Sequence, residues 1–174
     1  MADDASPPGK TDGGCPYGKL PDHAFWSRAV AGPAPGDVDP ALSPSFPIAP
    51  QDRIASAGSC FAQHIARRLA GASYNYLVTE PGYPRMGARL AAKYNYGTFS
   101  ARTGNIYSAR QLLQLFDRAY GAFTPSEPFW RSGRHWVDPF RPMIQPLGFE
   151  SEQEAALDRA QHFKAVRKLM ETLD

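Results

Sequence analysis

One serine of this chain stands where an extended segment meets a helical one, a position that suits a nucleophile. Residues 53–57 are short and apolar without alternation, as in a strand covered on both faces, and Gly58-Ser59-Cys60-Phe61-Ala62 follows at once. Apolar side chains then recur every four positions, which predicts a helix over 60–70. Backbone N–H groups at a helix N-terminus stabilise negative charge, so Ser59 could carry out acyl transfer or ester cleavage.

Two other roles for this junction stay open. Serine is a preferred N-cap residue, so Ser59 could accept a hydrogen bond from the first helical turn and have a purely structural function. Cys60 follows it at the predicted helix start, where the helix N-terminus favours a thiolate, and a Cys60 nucleophile is an alternative. A role as a small buried apolar residue is favoured for Cys60 over a reactive one.

Hydrophobic periodicity and capping signals predict an α/β order around this junction. Helices are predicted over 23–31, 60–70, 108–120 and 151–173, and strands over 53–57 and 73–79. Ser108 with Gln111 and Ser151 with Glu154 form capping-box patterns at two of these helix starts. A strand, a helix, a second strand and then further helices is the order of an α/β sandwich.

Proline and glycine divide the chain into three predicted parts. Residues 1–14 are predicted to be a disordered tail, 15–50 an extended lead-in and 51–174 the structured domain. The seventeen prolines and fifteen glycines concentrate in the predicted loops, which are 6–14, 32–50, 81–87 and 125–148. Because two strands make a poor closed domain, the chain is expected to be the N-terminal portion of a longer protein.

Composition excludes several classes of protein. The 174 residues suit one domain or part of a larger one, and 43% hydrophobic against 21% charged residues is typical of a globular protein. A formal net charge of +2 gives no support for nucleic-acid binding. No run approaches the ~18 apolar residues of a membrane span, and no secretory signal is visible, so residence in the cytoplasm is predicted. Two cysteines without a ligand cluster or a cofactor motif predict no metal and no cofactor.

The segment Gly58-Ser59-Cys60-Phe61-Ala62-Gln63-His64-Ile65 resembles the signature of the GSCFA-domain proteins, a bacterial group similar to the SGNH (GDSL-like) hydrolases. Residues 16–26, 104–115 and 138–142 also fit the family, so the resemblance covers roughly Tyr17 to the C-terminus. It implies an α/β, flavodoxin-like three-layer sandwich, here as its N-terminal portion with long proline-rich loops.

The resemblance also implies an active site and an activity. Ser59 would be the nucleophile, with Gly104 and Asn105 as oxyanion donors, although a glycine–asparagine turn would explain that pair as well. The Asp-x-x-His pair of SGNH enzymes is missing, so the base is expected beyond Asp174. The implied function is a serine hydrolase or acyltransferase for ester or acyl groups, with carbohydrate esters as the favoured small-molecule substrates. The alternative is a non-catalytic ligand- or protein-binding module on the same fold.

Several polar and aromatic side chains could contact a substrate. Arg102, Arg141 and His64 are predicted to do so, since arginine binds carboxylate or phosphate in a bidentate way. Surface salt bridges and packing are the alternatives for these three residues. His162 is predicted to lie on a solvated helix face. Loop aromatics could line a groove or pack the loops onto the domain, namely Phe129, Trp130, Trp136 and Phe140. The sequence sets no oligomeric state.

Overall fold

The computed structural model describes residues 16–39 and 44–173, so the predicted tail over 1–14 lies outside the described residues. The chain divides into two compact units between Pro47 and Ile48. The described part of the first unit holds a 3₁₀-helix, Asp22–Ala24, and a π-helix, Ser27–Ala31. The helix predicted over 23–31 is therefore present as two short pieces.

The second unit contains four α-helices and one small sheet in its described part. In chain order these are α1 Ala62–Gly71, α2 Ala88–Lys93, α3 Ala109–Ala119, β1 Trp130–Ser132, β2 His135–Val137 and α4 Glu152–Thr172. Strands β1 and β2 pair antiparallel, and the prediction of loop over 125–148 is wrong there. Gly133 lies between them at φ +61°, a backbone conformation that glycine adopts without strain, and this closes the hairpin.

Both predicted capping boxes are confirmed. The hydroxyl of Ser108 accepts a hydrogen bond from the backbone N–H of Gln111 at 3.2 Å, at the start of α3. The hydroxyl of Ser151 accepts one from the N–H of Glu154 at 3.1 Å, at the start of α4. Side chains at the third helical position reach back in each case, and the Glu154 carboxylate accepts from Glu150 N–H at 2.8 Å. The two helices that the sequence predicted best are thus fixed at their N-termini by local contacts.

The cap at Ser151 gives a prediction about stability. Ser151→Ala is expected to lower the free energy of unfolding by about 1 kcal/mol, because it leaves the N–H of Glu154 without its acceptor. Urea denaturation followed by far-UV circular dichroism measures the change. Ser126→Ala, in an exposed loop, is the matched control and should stay within about 0.5 kcal/mol of the parent chain. Equal effects of the two substitutions would contradict a capping role.

The two predicted strands are reduced to a single parallel pairing between Ile54 and Tyr76. Ile54 N–H donates to Asn75 O at 3.1 Å, and Leu77 N–H donates to Ile54 O at 2.8 Å. The ladder stops because the following backbone groups pair with Ser100 instead, as described below. The parallel direction and the intervening helix α1 are those of a strand–helix–strand unit. The three-layer sandwich itself remains a prediction, since the described residues hold one two-stranded sheet and isolated pairings.

Apolar side chains form two buried clusters in this unit. The larger one joins α3 and α4 to the segment before α3, with Ala101, Ile106, Leu115, Ala119, Val166 and Leu169. The smaller one packs the hairpin region against the start of α4, with Phe129, Ile144, Phe149 and Ala155. Burial of such side chains stabilises each by roughly 1.5–3 kcal/mol. The larger cluster therefore holds α3 against α4, and the smaller one holds the hairpin region against the start of α4.

Helix α1 shows a face that differs from the one predicted. The sequence predicts an apolar face of Phe61, Ile65 and Leu69 with alanines beside it, but Phe61 is 72% exposed and Ile65 is 48% exposed, while Ala66 is buried. At Gly58 a β-carbon would lie 2.9 Å from the β-carbon of Ala62, so the turn before α1 packs closely against the start of the helix.

Candidate active site

The serine junction, residues 58–61, lies directly after the extended segment 53–57 and before α1. Ser59 is half-buried, and its hydroxyl accepts a hydrogen bond from the backbone N–H of Phe61 at 3.3 Å. Helix α1 begins at Ala62, and no side chain caps it. Ser59 therefore holds the turn that precedes the helix and is not the N-cap residue itself. The neighbouring thiol of Cys60 is exposed, which corrects the expectation that it is buried.

A second loop is attached to this junction. Ile106 N–H donates to Gly58 O at 2.9 Å, and this bond brings Gly104 and Asn105 next to the turn that carries Ser59. Gly104 has φ +67°, the left-handed conformation that favours glycine. The exposed side-chain amide of Asn105 donates to the Tyr107 hydroxyl at 3.1 Å. The loop that carries Gly104 and Asn105 is thus hydrogen-bonded to the turn that carries Ser59, and the roles of the three residues stay predictions.

Unpaired backbone donors occur in both of these loops. Among the described residues, the N–H groups of Ser59, Cys60, Gly104 and Asn105 donate no hydrogen bond. Backbone N–H groups of this kind can stabilise the negative oxygen of a tetrahedral intermediate in acyl transfer. A hydroxyl and several unpaired donors therefore lie in two loops that the bond from Ile106 N–H to Gly58 O joins.

Ser100 connects the junction to the second extended segment. Its hydroxyl accepts from Ser56 N–H at 3.0 Å, and its carbonyl oxygen accepts from Thr79 N–H at 2.7 Å. The Ser56 hydroxyl also bonds the Tyr76 hydroxyl at 2.8 Å. The carboxyl ends of both extended segments, and the residues that follow them, therefore meet at one edge. Ligands of α/β folds bind at such an edge.

No histidine bonds to the Ser59 hydroxyl among the described residues. His64 is exposed on α1 with its ring 6.1 Å from that of Phe61, so the substrate contact predicted for it stays a prediction. His135 lies in β2, where its Nε2 accepts from the Arg134 side chain at 3.2 Å. His162 is paired elsewhere. The contacts of Ser59 thus include an amide donor and no base.

Arg102 and Arg141 lie together in a buried ion-pair network. Their guanidinium groups donate to the two carboxylate oxygens of Asp158, Arg102 to Oδ1 at 2.6 Å and Arg141 to Oδ2 at 2.8 Å. Arg141 also pairs with the fully buried Asp138 at 3.0 Å. The side chains of Arg102 and Arg141 are 3% and 1% exposed, so neither guanidinium is accessible to an anion in solution.

Further acceptors complete the coordination of Arg102. Its guanidinium donates to Tyr94 O at 2.8 Å, to the Tyr96 hydroxyl at 3.1 Å and to Ile144 O at 3.3 Å. Every nitrogen of its side chain therefore has a partner within the chain. A structural role accounts for both arginines in place of the substrate-binding role predicted from the sequence.

His162 is fully buried, so its prediction on a solvated helix face is wrong. Its Nδ1 lies 2.7 Å from Oε2 of Glu80, an oxygen that also accepts from Arg102 N–H at 2.6 Å. The signal that identifies it is its register in α4, since His162 lies seven residues after the buried Ala155 and four before the buried Val166.

The protonation states of His162 and Glu80 depend on their burial and on their neighbours. Burial, with the positive charge of Arg141, lowers the pKa of His162 to about 4. Burial also tends to raise the pKa of Glu80, but the hydrogen bonds from His162 and Arg102 outweigh it and leave that pKa below its ordinary value. At neutral pH the imidazole is therefore neutral and donates its Nδ1 proton to an ionised Glu80. Its Nε2 is buried without a partner among the described residues.

The loop aromatics pack against arginine side chains. The guanidinium carbon of Arg118 lies 3.7 Å from the ring centre of Phe140, and that of Arg159 lies 4.0 Å from the ring centre of Phe129. Burial lowers the pKa of Arg118 to about 10. These contacts support the packing alternative for Phe129 and Phe140, whereas Trp130 is 55% exposed.

The described residues offer neither a metal-binding cluster nor a membrane-spanning helix. No group of three or more histidine, cysteine, aspartate or glutamate side chains there is arranged to hold a metal ion. None of the described helices is both long enough and apolar enough to span a bilayer.

Comparison with known proteins gives one match. The GSCFA family model matches residues 53–174, which include the serine junction, the Gly104–Asn105 loop and the buried network. No curated protein and no solved structure matches the chain. The match extends over more than half of the chain, and this protein therefore belongs to the GSCFA family.

Proposed function

We propose that this protein is an SGNH-like serine hydrolase or acyltransferase that acts on ester or acyl groups, with Ser59 as its nucleophile. The observation that carries the proposal is the bond of 2.9 Å between Ile106 N–H and Gly58 O. It joins the Gly104–Asn105 loop to the serine turn, so that unpaired N–H donors of two separate segments lie in neighbouring loops, which supports the proposal. A capping serine alone would need no such second loop.

The reaction proceeds through an acyl-enzyme. The Ser59 oxygen attacks the carbonyl carbon of the ester as a base removes the hydroxyl proton. The backbone N–H groups of Ser59 and Gly104 and the side-chain amide of Asn105 stabilise the resulting oxyanion. Collapse of the intermediate expels the alcohol, which takes up the proton. Water then attacks the acyl-enzyme in hydrolysis, or an acceptor hydroxyl attacks it in transfer, and Ser59 is regenerated. Carbohydrate esters are the favoured substrates.

The proposal needs a base that the described contacts of Ser59 do not include. A lone hydroxyl is a weak nucleophile, and activation by a neighbouring imidazole or carboxylate is the usual solution. His162 does not meet this need, because it is fully buried and bonded to Glu80. The acceptor side of the Ser59 hydroxyl is occupied by Phe61 N–H, which leaves its proton free to be donated to a base.

A fluorophosphonate probe on the full-length protein tests the proposal. Covalent labelling is expected at Ser59, located by mass spectrometry of the digested protein, and Ser59→Ala is expected to reduce labelling at least a hundredfold. Ser126→Ala is the matched control, because it removes an exposed loop serine. Cys60→Ala should also retain labelling, which separates a serine nucleophile from a thiol.

Two results would end the claim. Labelling of Ser59→Ala at the level of the parent chain would show that the probe reacts elsewhere. An unlabelled parent chain that is folded by circular dichroism would favour the second candidate, a binding module. The absence of any base in the described contacts of Ser59 is the observation that favours that candidate.

A further inference from the structure

We propose that a cleft lined by tyrosines, apart from Ser59, binds a neutral carbohydrate. The tyrosine cleft, as we name it, is defined by Tyr83, Tyr94, Tyr96, Arg102, Asp158 and Gln161. Its volume is about 330 Å³, at the lower end of the roughly 300–1,000 Å³ of small-molecule sites. A hollow of about 220 Å³ that reaches Thr79 and Glu80 continues it and shares five of the six defining residues. This inference goes beyond the hydrolase proposal and does not require it.

The aromatic walls of the tyrosine cleft suit the apolar face of a sugar ring. The rings of Tyr83 and Tyr96 lie 6.0 Å apart at 58°, and Tyr83 is 62% exposed. Gly82 sets the loop against Tyr96, since a β-carbon there would lie 3.2 Å from the β-carbon of Tyr96 and its φ is +92°. The exposed ring of Tyr83, tilted against that of Tyr96, offers a surface on which the C–H groups of a sugar can stack.

The polar groups of the cleft suit hydroxyl groups. Tyr96 accepts a hydrogen bond from Arg102 at 3.1 Å, so its own hydroxyl proton is free to be donated. The exposed amide of Gln161 has no partner among the described residues and offers both donors and an acceptor. Asp158 is 15% exposed, and each of its carboxylate oxygens has a lone pair left beyond the arginine contacts.

The charges of the cleft select a neutral ligand. The guanidinium of Arg102 stands 4.1 Å from the Tyr96 ring centre and takes the place that a ligand cation would occupy on that ring. The carboxylate of Glu154 lines the cleft and disfavours an anion, whereas Asp158 is neutralised by its two arginines. Burial raises the pKa of Tyr96, so its hydroxyl is uncharged at neutral pH. A neutral sugar combines apolar faces that stack on the tyrosine rings with hydroxyl groups for the polar side chains, and it carries no charge.

Titration of the full chain with disaccharides tests the proposal. The probes are cellobiose, maltose and N,N′-diacetylchitobiose, followed by saturation-transfer NMR and calorimetry, with choline and inorganic phosphate as charged probes. At least one disaccharide is expected to bind, and Tyr83→Ala and Gln161→Ala should each weaken it at least tenfold. Tyr120→Ala and Gln153→Ala are the matched controls, because both remove exposed side chains that lie outside the cleft and should leave the affinity unchanged.

The outcomes separate this site from the proposed nucleophile. Binding that survives Ser59→Ala, together with fluorophosphonate labelling that survives Tyr83→Ala, would show two independent functions. Failure of all three disaccharides to bind the folded chain would overturn the carbohydrate site, whatever the labelling result. Binding of choline or phosphate alone, or equal loss of affinity in the control variants, would overturn it too.

Discussion

Asp158→Ala is expected to lower the free energy of unfolding of the 48–174 unit by about 3–5 kcal/mol, because it leaves a buried guanidinium without its counter-charge. Asp158 holds Arg102 at 2.6 Å and Arg141 at 2.8 Å, and both arginines are almost fully buried. Arg141 would keep Asp138 as a partner, whereas Arg102 would retain neutral acceptors alone. Urea denaturation followed by far-UV circular dichroism measures the loss.

Glu171→Ala is the control for this substitution, since it removes an exposed carboxylate from the same helix and should change stability by no more than about 0.5 kcal/mol. The double variant Arg102→Met/Asp158→Ala gives a second check. If the cost comes from an uncompensated charge, the double variant should be less destabilised than the sum of its single substitutions. Additive effects would mean that Asp158 acts through packing and not through charge.

Local signals in the sequence were sufficient for α3 and α4, whereas α2 was not predicted. Ser108 and Ser151 predict the starts of α3 and α4, because the hydrogen bonds of a capping box form within a few residues and need no tertiary partner. The serine junction was predictable for the same reason, since Gly58 and Ser59 are adjacent in the chain. The GSCFA family match over residues 53–174 includes both of these helices and the serine junction.

Long-range contacts explain what the sequence did not predict. Glu80 and His162 are 82 residues apart, and each looks like an exposed polar residue when it is considered alone. Arg102 and Asp158 are 56 residues apart, and their pairing leaves no periodic pattern. The segments 53–57 and 73–79 share a single pairing and no continuous ladder. Ser100 accepts the hydrogen bonds from Ser56 N–H and Thr79 N–H that would have continued it. Only the tertiary arrangement reveals these partners.

The segment 100–106 links the candidate site to the buried network. Ser100 binds the ends of both extended segments, Arg102 enters the network, and Ile106 holds Gly58. Gly104 lies between the last two of these anchors. The buried ion pairs therefore have a second consequence, because they hold the backbone that carries the proposed oxyanion donors. A loosened network should affect the reactivity of Ser59 without any direct contact to it.

Acid is expected to destabilise the protein through His162. The folded pKa of about 4 lies below the ordinary value of 6.5, so the unfolded chain binds a proton in this interval while the folded chain does not. Stability is therefore lost as the pH falls from about 6.5 to about 4, by about 2–3 kcal/mol at pH 4.5 relative to pH 7.5. Glu80 and Asp158, whose pKa values are also lowered, add to the loss below this interval.

His162→Asn isolates this contribution, since its amide can still donate to Glu80 but does not titrate. The variant is expected to be less stable at neutral pH, because the smaller side chain leaves a cavity, yet its stability should change little between pH 7.5 and 4.5. Urea denaturation at both pH values gives the comparison. His64→Asn, at an exposed position, should keep the pH dependence of the parent chain. If His162→Asn keeps it as well, the acid sensitivity arises from other groups and the buried neutral imidazole is not its source.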